Sequence, residues 1–201
     1  MKSHWELGVL RGPATPGPAA TSLVIKVGGS LLVRPEWPDE LIALVGQVTR
    51  PGLLVVGGGR IVDALRRIDA TTPRSPEIMH RLAIDALGLS ARLVSDALGL
   101  PLVAAPLPDA RLAVLDASAW LDAPDAEGSR FARLPVGWHV TSDSIAALVA
   151  TVHDSRLLLA KSAPPPAHET DLIRLAESGW VDGYFPTAAA LVTGIDWAVP
   201  R

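Results

Sequence analysis

Lysine is scarce in this chain, and two of its lysines stand where chemistry can use them. Of 18 basic residues, Lys2, Lys26 and Lys161 are Lys and the other fifteen are Arg. A lysine kept in such a background marks a place for a compact ammonium that a planar guanidinium would not fit. Lys26 ends the apolar run Leu23-Val24-Ile25 and leads into Val27-Gly28-Gly29-Ser30. Glycines at the carboxyl end of a strand let backbone N–H groups approach phosphate oxygens, and a strand-borne lysine supplies the counter-charge. The alternative is a tight strand-to-helix turn with a solvated lysine. Lys161 ends Leu157-Leu158-Leu159-Ala160 and precedes Ser162, so a buried strand would deliver it to the same sheet edge; the alternative there is a lysine snorkelling to water.

A second glycine loop, Gly57-Gly58-Gly59-Arg60, follows another apolar run and could offer a helix N-terminus to an anion or a small polar group. It could equally be a connector. Neither loop is a Walker motif, and Val62 stands where the dinucleotide fingerprint needs its last glycine, which argues against a nicotinamide enzyme. Thr141-Ser142-Asp143-Ser144 reads as a helix-capping run in which Asp143 could also orient a lysine ammonium or a magnesium shell. His4, His80, His139, His153 and His168 show no metal-ligand spacing, and no side chain is assigned as a metal ligand. His80 opens an amphipathic segment and could face a pocket, or be a satisfied core histidine. The six Trp read as packing residues.

The elements that must position these residues follow from periodicity. Short β-branched or leucine runs predict buried strands at 23–27, 53–56, 102–104, 112–115, 156–160 and near 195–199. Between them, helical patterns run over 38–48, 60–68, 76–98, 145–153 and 169–177, with a short one near 187–193; Thr141 or Ser142 is the natural cap of the fourth. Residues 121–137 read as loop-rich. Buried strands alternating with helices predict an α/β fold, a three-layer αβα sandwich on a mainly parallel sheet. Residues 1–20 lack periodicity and read as a flexible tail, with Trp5 and Leu10 able to lie on the body; residues 21–201 read as a single domain.

Composition narrows the function classes. The chain has 201 residues, 49% of them hydrophobic, and a chain of this size buries roughly 70% of its unfolded surface. A net charge of −3 without a basic block argues against nucleic acid or a membrane surface as partner. The absence of cysteine excludes disulfides, thiolate metal sites and cysteine nucleophiles. With no apolar run near the ~20 residues of a membrane span and no signal-peptide pattern, the expectation is a cytoplasmic protein.

Taken together, Lys26 with Gly28-Gly29-Ser30, the Gly57-Gly58-Gly59 loop and the late Asp143 resemble the amino acid kinase superfamily, which includes acetylglutamate, aspartate, carbamate and uridylate kinases. The resemblance implies ATP as donor and Mg2+ as cofactor. Lys26 would act at the reacting phosphates and Asp143 would orient it. Gly28, Gly29, Ser30, Thr141, Ser142 and Ser162 would meet the nucleotide; Gly57, Gly58, Gly59, Arg60 and His80 would meet a small-molecule acceptor. It also implies a homodimer or higher homo-oligomer, with the 76–98 helix as an interface. Met79-His80-Arg81-Leu82-Ala83-Ile84-Asp85, Trp138-His139-Val140-Thr141-Ser142-Asp143-Ser144 and Val181-Asp182-Gly183-Tyr184-Phe185-Pro186 look most like the short archaeal-type members that phosphorylate aminomethyl-furanmethyl phosphate on the way to methanofuran.

Two departures stand out. The family's Thr-Asp-Val-Asp-Gly-like nucleotide run is replaced by Lys161-Ser162-Ala163-Pro164-Pro165-Pro166, and no lysine follows Lys161 to serve as the usual C-terminal catalytic lysine. Lys161 is the candidate replacement. The competing reading is a catalytically inactive nucleotide- or anion-binding protein on the same fold.

Overall fold

Apolar runs too short for helices and flanked by glycine or proline become the central strands. In the computed structural model, which describes residues 4–12, 22–106, 111–125, 128–130 and 133–201, seven strands form one sheet. They are β1 (Trp5–Arg11), β2 (Leu23–Val27), β3 (Gly52–Val56), β4 (Leu102–Val103), β5 (Leu112–Leu115), β8 (Arg156–Ala160) and β9 (Ile195–Pro200), in the order β1-β9-β8-β2-β3-β5-β4. A two-stranded hairpin of β6 (Pro124–Asp125) and β7 (Gly128–Ser129) stands apart. Every neighbour in the large sheet is parallel except β1, which runs antiparallel to β9.

Both faces of the sheet are covered, which is why its inner strands are apolar on both sides rather than alternating. One face carries α1 (Trp37–Val45) and part of α3 (Pro76–Leu98) over Ile25, Val27, Leu54, Val56 and Val114. The other packs α5 (Ser142–Val152), α6 (Leu172–Glu177) and α7 (Phe185–Ala188), with α4 (Ala117–Asp122), on Val24, Leu53, Val55, Leu157 and Leu159. The remaining helix, α2 (Gly59–Thr71), follows the second glycine loop. This is the expected three-layer α/β sandwich.

Local chemistry sets the helix ends. The Ser75 side chain accepts the Ile78 N–H at 3.3 Å to open α3, and Gly99, at φ +62°, closes it in the left-handed conformation. Asp171 opens α6 by accepting from Ile173 and Arg174.

Two expectations are corrected. The tail predicted over 1–20 is, over Trp5–Arg11, an edge strand; residues 1–3 and 13–20 lie outside the described residues. Trp5 and Leu10 are only 9% and 8% exposed, and the Trp5 indole donates to the Glu40 carbonyl at 2.9 Å. The stretch 121–137 is loop-rich as expected, holding among its described residues the end of α4 at Asp122 and the short β6–β7 hairpin. The late short helix lies at Phe185–Ala188 rather than 187–193.

Candidate active site

The parallel register brings the two lysine-bearing strands side by side, with Lys26 opposite Leu159 and Val27 opposite Ala160. Lys161, one residue past Ala160, therefore emerges two residues beyond the level of Lys26 at the same carboxyl edge. The N-terminus of α5 sits over this edge and inserts Asp143 between the two ammonium groups. Asp143 Oδ1 lies 2.8 Å from Lys26 Nζ, and Lys161 Nζ donates to Asp143 Oδ2 at 2.9 Å. Lys161 also donates to the Trp180 carbonyl, and its Nζ lies 4.8 Å from the centre of the Trp180 ring.

All three charges are largely withdrawn from water, and the ionisation of Asp143 and Lys161 reflects both burial and their neighbours. Burial pushes the Asp143 carboxyl up, but the attraction of Lys161 and then Lys26 outweighs it and holds the group at about 2. Burial pulls the Lys161 ammonium down, Asp143 pulls it up, Lys26 repels it, and the balance lies at about 8. Both Asp143 oxygens thus face lysine ammonium groups.

A cleft of about 640 Å³ opens over this triad, lined by both glycine loops, α2, α3, the 138–143 segment and the 179–183 loop. Gly29, Ser30, Gly57, Gly58, Gly59, Arg60, His80, Thr141, Ser142, Asp143 and Lys161 all line it. Lys26 does not: it is 5% exposed and lies beneath the floor, reaching the cleft through Asp143. Gly28 and Ser162 are also outside the lining, although the Ser162 hydroxyl meets that of Ser30 at 3.1 Å. His80, 3% exposed, is seated in the wall with Nδ1 accepting the Gly137 N–H at 3.4 Å, and burial lowers its basicity.

The glycines have a structural reason first. A side chain on Gly29 would strike the Gly59 backbone, one on Gly57 would come within 2.9 Å of Gly29 N and Ser142 Oγ, and Gly59 has φ +49°. The two loops are packed backbone against backbone. The N–H groups of Gly28 and Gly57 are spent on the Ala160 and Val27 carbonyls, each at 2.8 Å, and are removed from any phosphate cradle. Among the described residues, no protein acceptor takes the N–H of Gly29, Ser30 or Gly58.

Sequence reasoning missed four lining residues. Trp138 and Trp180 are not mere packing: Trp138 is fixed by a 2.8 Å bond to Asp69 and lies 5.3 Å from the Arg66 guanidinium. Arg66, about two turns into α2, faces the cleft, a position the 60, 63, 66 spacing could have shown. Asp182 caps α5 from a distant loop. Thr141 occupies the N-cap position as expected, but its hydroxyl donates to Asp182 instead of capping the helix, and no local signal reveals that.

The mainly parallel seven-stranded sheet, covered by helices on both faces, is a fold shared with solved kinases. Within that fold the chain is similar to UMP kinases of known structure. Uridylate kinase from Archaeoglobus fulgidus aligns with a TM-score of 0.56 and 18% identity, over 86% of this chain and 89% of that one. UMP kinase from Ureaplasma parvum gives 0.57 and 15% over 85% of each chain. UMP kinase from Bacillus anthracis gives 0.52 and 10% over 90% of this chain and 96% of that one. No family model and no curated protein matches the sequence.

Proposed function

We propose that the chain is an ATP-dependent small-molecule kinase that transfers the γ-phosphoryl group to a phosphorylated or carboxylated metabolite. The observation that carries this reading is the Lys26–Asp143–Lys161 bridge at the floor of a cleft walled by two glycine loops. Phosphoryl transfer asks for positioning and charge neutralisation more than covalent chemistry, and the site offers cations and N–H donors with no activated nucleophile. Lys161, which lines the cleft, would offset charge developing on the transferred group. Lys26, below it, would set the potential of the floor, and Asp143 would hold both. A volume of about 640 Å³ is of the size that encloses a small ligand pair.

Arg60 and Arg66 on the α2 wall suit an anionic acceptor, while Ile84, Leu87, Val140 and Trp138 suit an apolar or ring-bearing body. Aminomethyl-furanmethyl phosphate has that build and is the first acceptor to try, on the resemblance of the 79–85 and 138–144 segments. The described residues contain no group of three or more His, Asp or Glu able to hold a metal. Magnesium would thus arrive with ATP, coordinated by the phosphates, and offset their charge there.

The competing reading, an anion-binding protein without transfer, draws on one observation: Asp143 is already paired with both ammonium groups. Single-turnover assays at high enzyme concentration, with labelled ATP and a panel of small phosphates and carboxylates, decide between them. Label appearing in an acceptor, and lost in Lys161→Met, supports the kinase. Stabilisation by ATP with no transfer to any acceptor supports the binding protein; a ligand at 100 times its Kd adds about 2.7 kcal/mol.

Further expectations belong to the same reading. No helix among the described residues is long and apolar enough to cross a membrane. Self-association through α3 fits the stripe Ile78, Leu82, Leu89 and Leu93, each 41–55% exposed.

A further inference from the structure

The loop between α6 and α7 does two jobs at once, and Asp182 is central to one of them. Asp182 Oδ2 accepts the backbone N–H groups of Thr141 and Ser144, each at 2.9 Å, and the Thr141 hydroxyl at 2.8 Å. Its Oδ1 accepts the Ser144 hydroxyl at 2.5 Å and the Tyr184 N–H at 3.2 Å. One carboxylate from a segment some forty residues away thereby supplies the N-terminal cap that Thr141 does not provide for α5. Asp143 lies between those anchored residues, in the first turn of the same helix. Two residues before Asp182, the Trp180 carbonyl and ring engage Lys161, while the Trp180 indole donates to the Ala163 carbonyl at 3.0 Å.

We propose that Asp182 is a positioning residue for the phosphoryl-transfer site: through the N-terminus of α5 it sets where Asp143 stands, and through Asp143 it keeps Lys161 oriented. Its consequence for turnover rests on the kinase reading; its consequence for Lys161 does not. A plain helix cap would need only to accept N–H groups, which a neutral Ser, Thr or Asn does well. Here a full charge faces the cleft. The groups facing Lys161 are Asp143 from α5, Lys26 from β2 and Asp182 from its own loop, beside the Trp180 carbonyl and ring. The two carboxylates balance the two ammonium groups. Removing one leaves Lys161 exposed to the repulsion of Lys26 with less to offset it.

Three lysines in the whole chain make the test direct. Lysine labelled with 13C at Cε gives three signals, assigned by Lys2→Arg and Lys161→Met, and each is titrated in the ligand-free protein. Asp182→Asn keeps acceptor oxygen for the cap but removes the charge. The expected result is a folded variant of somewhat lower melting temperature, since the new amide NH2 cannot accept the Tyr184 N–H, with a Lys161 midpoint moved to lower pH by roughly half a unit or more. Where transfer is measurable, kcat should fall about tenfold or more with KM for ATP changed less than about twofold. Ser144→Ala, which removes the 2.5 Å bond without touching a lysine, should move the same signal in the same direction by less. It keeps the proposal testable should Asp182→Asn not fold. A Lys161 midpoint unmoved in a folded Asp182→Asn variant overturns the proposal and leaves Asp182 a helix cap. Should the wild type transfer no phosphoryl group at all, the kinase reading fails while the lysine titration still decides the role of Asp182.

Discussion

A buried carboxylate shared by two lysines makes the chemistry of this site depend on single side chains. Lys26 is enclosed and holds Asp143 with one nitrogen, so a guanidinium has neither the room nor the matching partner. Lys26→Arg should therefore lose nearly as much transfer as Lys26→Ala, and steady-state rates of the two variants check this. Lys161→Met should lower kcat by about 10²-fold, as loss of one preorganised donor does. Because Lys161 deprotonates at about 8, kcat should hold below that pH and fall as pH rises through it, with the alkaline limb absent from Lys161→Met. Asp143 acts at the other end of the scale. Its carboxyl lies at about 2 in the fold against 3.8 unperturbed, so the unfolded chain binds the proton more readily between those values. The stabilisation is whole above about pH 4 and is lost as pH falls through 3.8 toward 2. Acid unfolding followed by circular dichroism should be steeper in that window for wild type than for Asp143→Asn.

At the scale of elements, β1 and the glycine loops carry the consequences. Strand β1 shields the sheet edge beside β9 and inserts Trp5 against α1. Trp5→Ala should cost about 3 kcal/mol, the low end for a buried tryptophan, and a chemical denaturation series measures it. The Gly57-Gly58-Gly59 loop behaves differently from a simple acceptor cradle. A side chain at Gly58 would collide with Val62 and come within 3.3 Å of Leu87, so Gly58→Val should destabilise by roughly 1–3 kcal/mol. It should weaken ATP and acceptor binding together, since the Gly29 loop rests on its neighbour Gly59. Calorimetry with each ligand separately, beside a thermal melt, tests that coupling.

For the whole molecule, the cleft lies where an open parallel sheet places ligands, at the carboxyl edge of its strands. The opposite side of α3 turns Ile78, Leu82, Leu89 and Leu93 outward at spacings of four, seven and four. Self-association along this stripe should appear in sedimentation velocity as a species larger than the 21.1 kDa chain, and Leu89→Glu should return it to that mass. The variant should keep its melting profile, because Leu89 is 55% exposed.

The sequence by itself determined the layer order, six of the seven strands of the large sheet, the long helix and most of the residues that meet at the cleft. Each rests on a local signal: apolar runs, glycine pairs at strand ends, a capping run before a helix, and lysines kept among arginines. Tertiary structure alone decided how those residues act. That Asp143 bridges two lysines depends on strands 130 residues apart lying in register, as Lys26 and Leu159 do. The glycines are required by the approach of one loop to another, which no single loop reveals. Trp5–Arg11 is a strand because β9, at the far end of the chain, offers it an edge, so its own weak pattern reads as a tail. The Asp182 cap, likewise, lies some forty residues from its helix. Hydrophobic period and turn chemistry are written within a few residues, whereas ion pairs, trans caps and edge pairing are written only in contacts that folding creates.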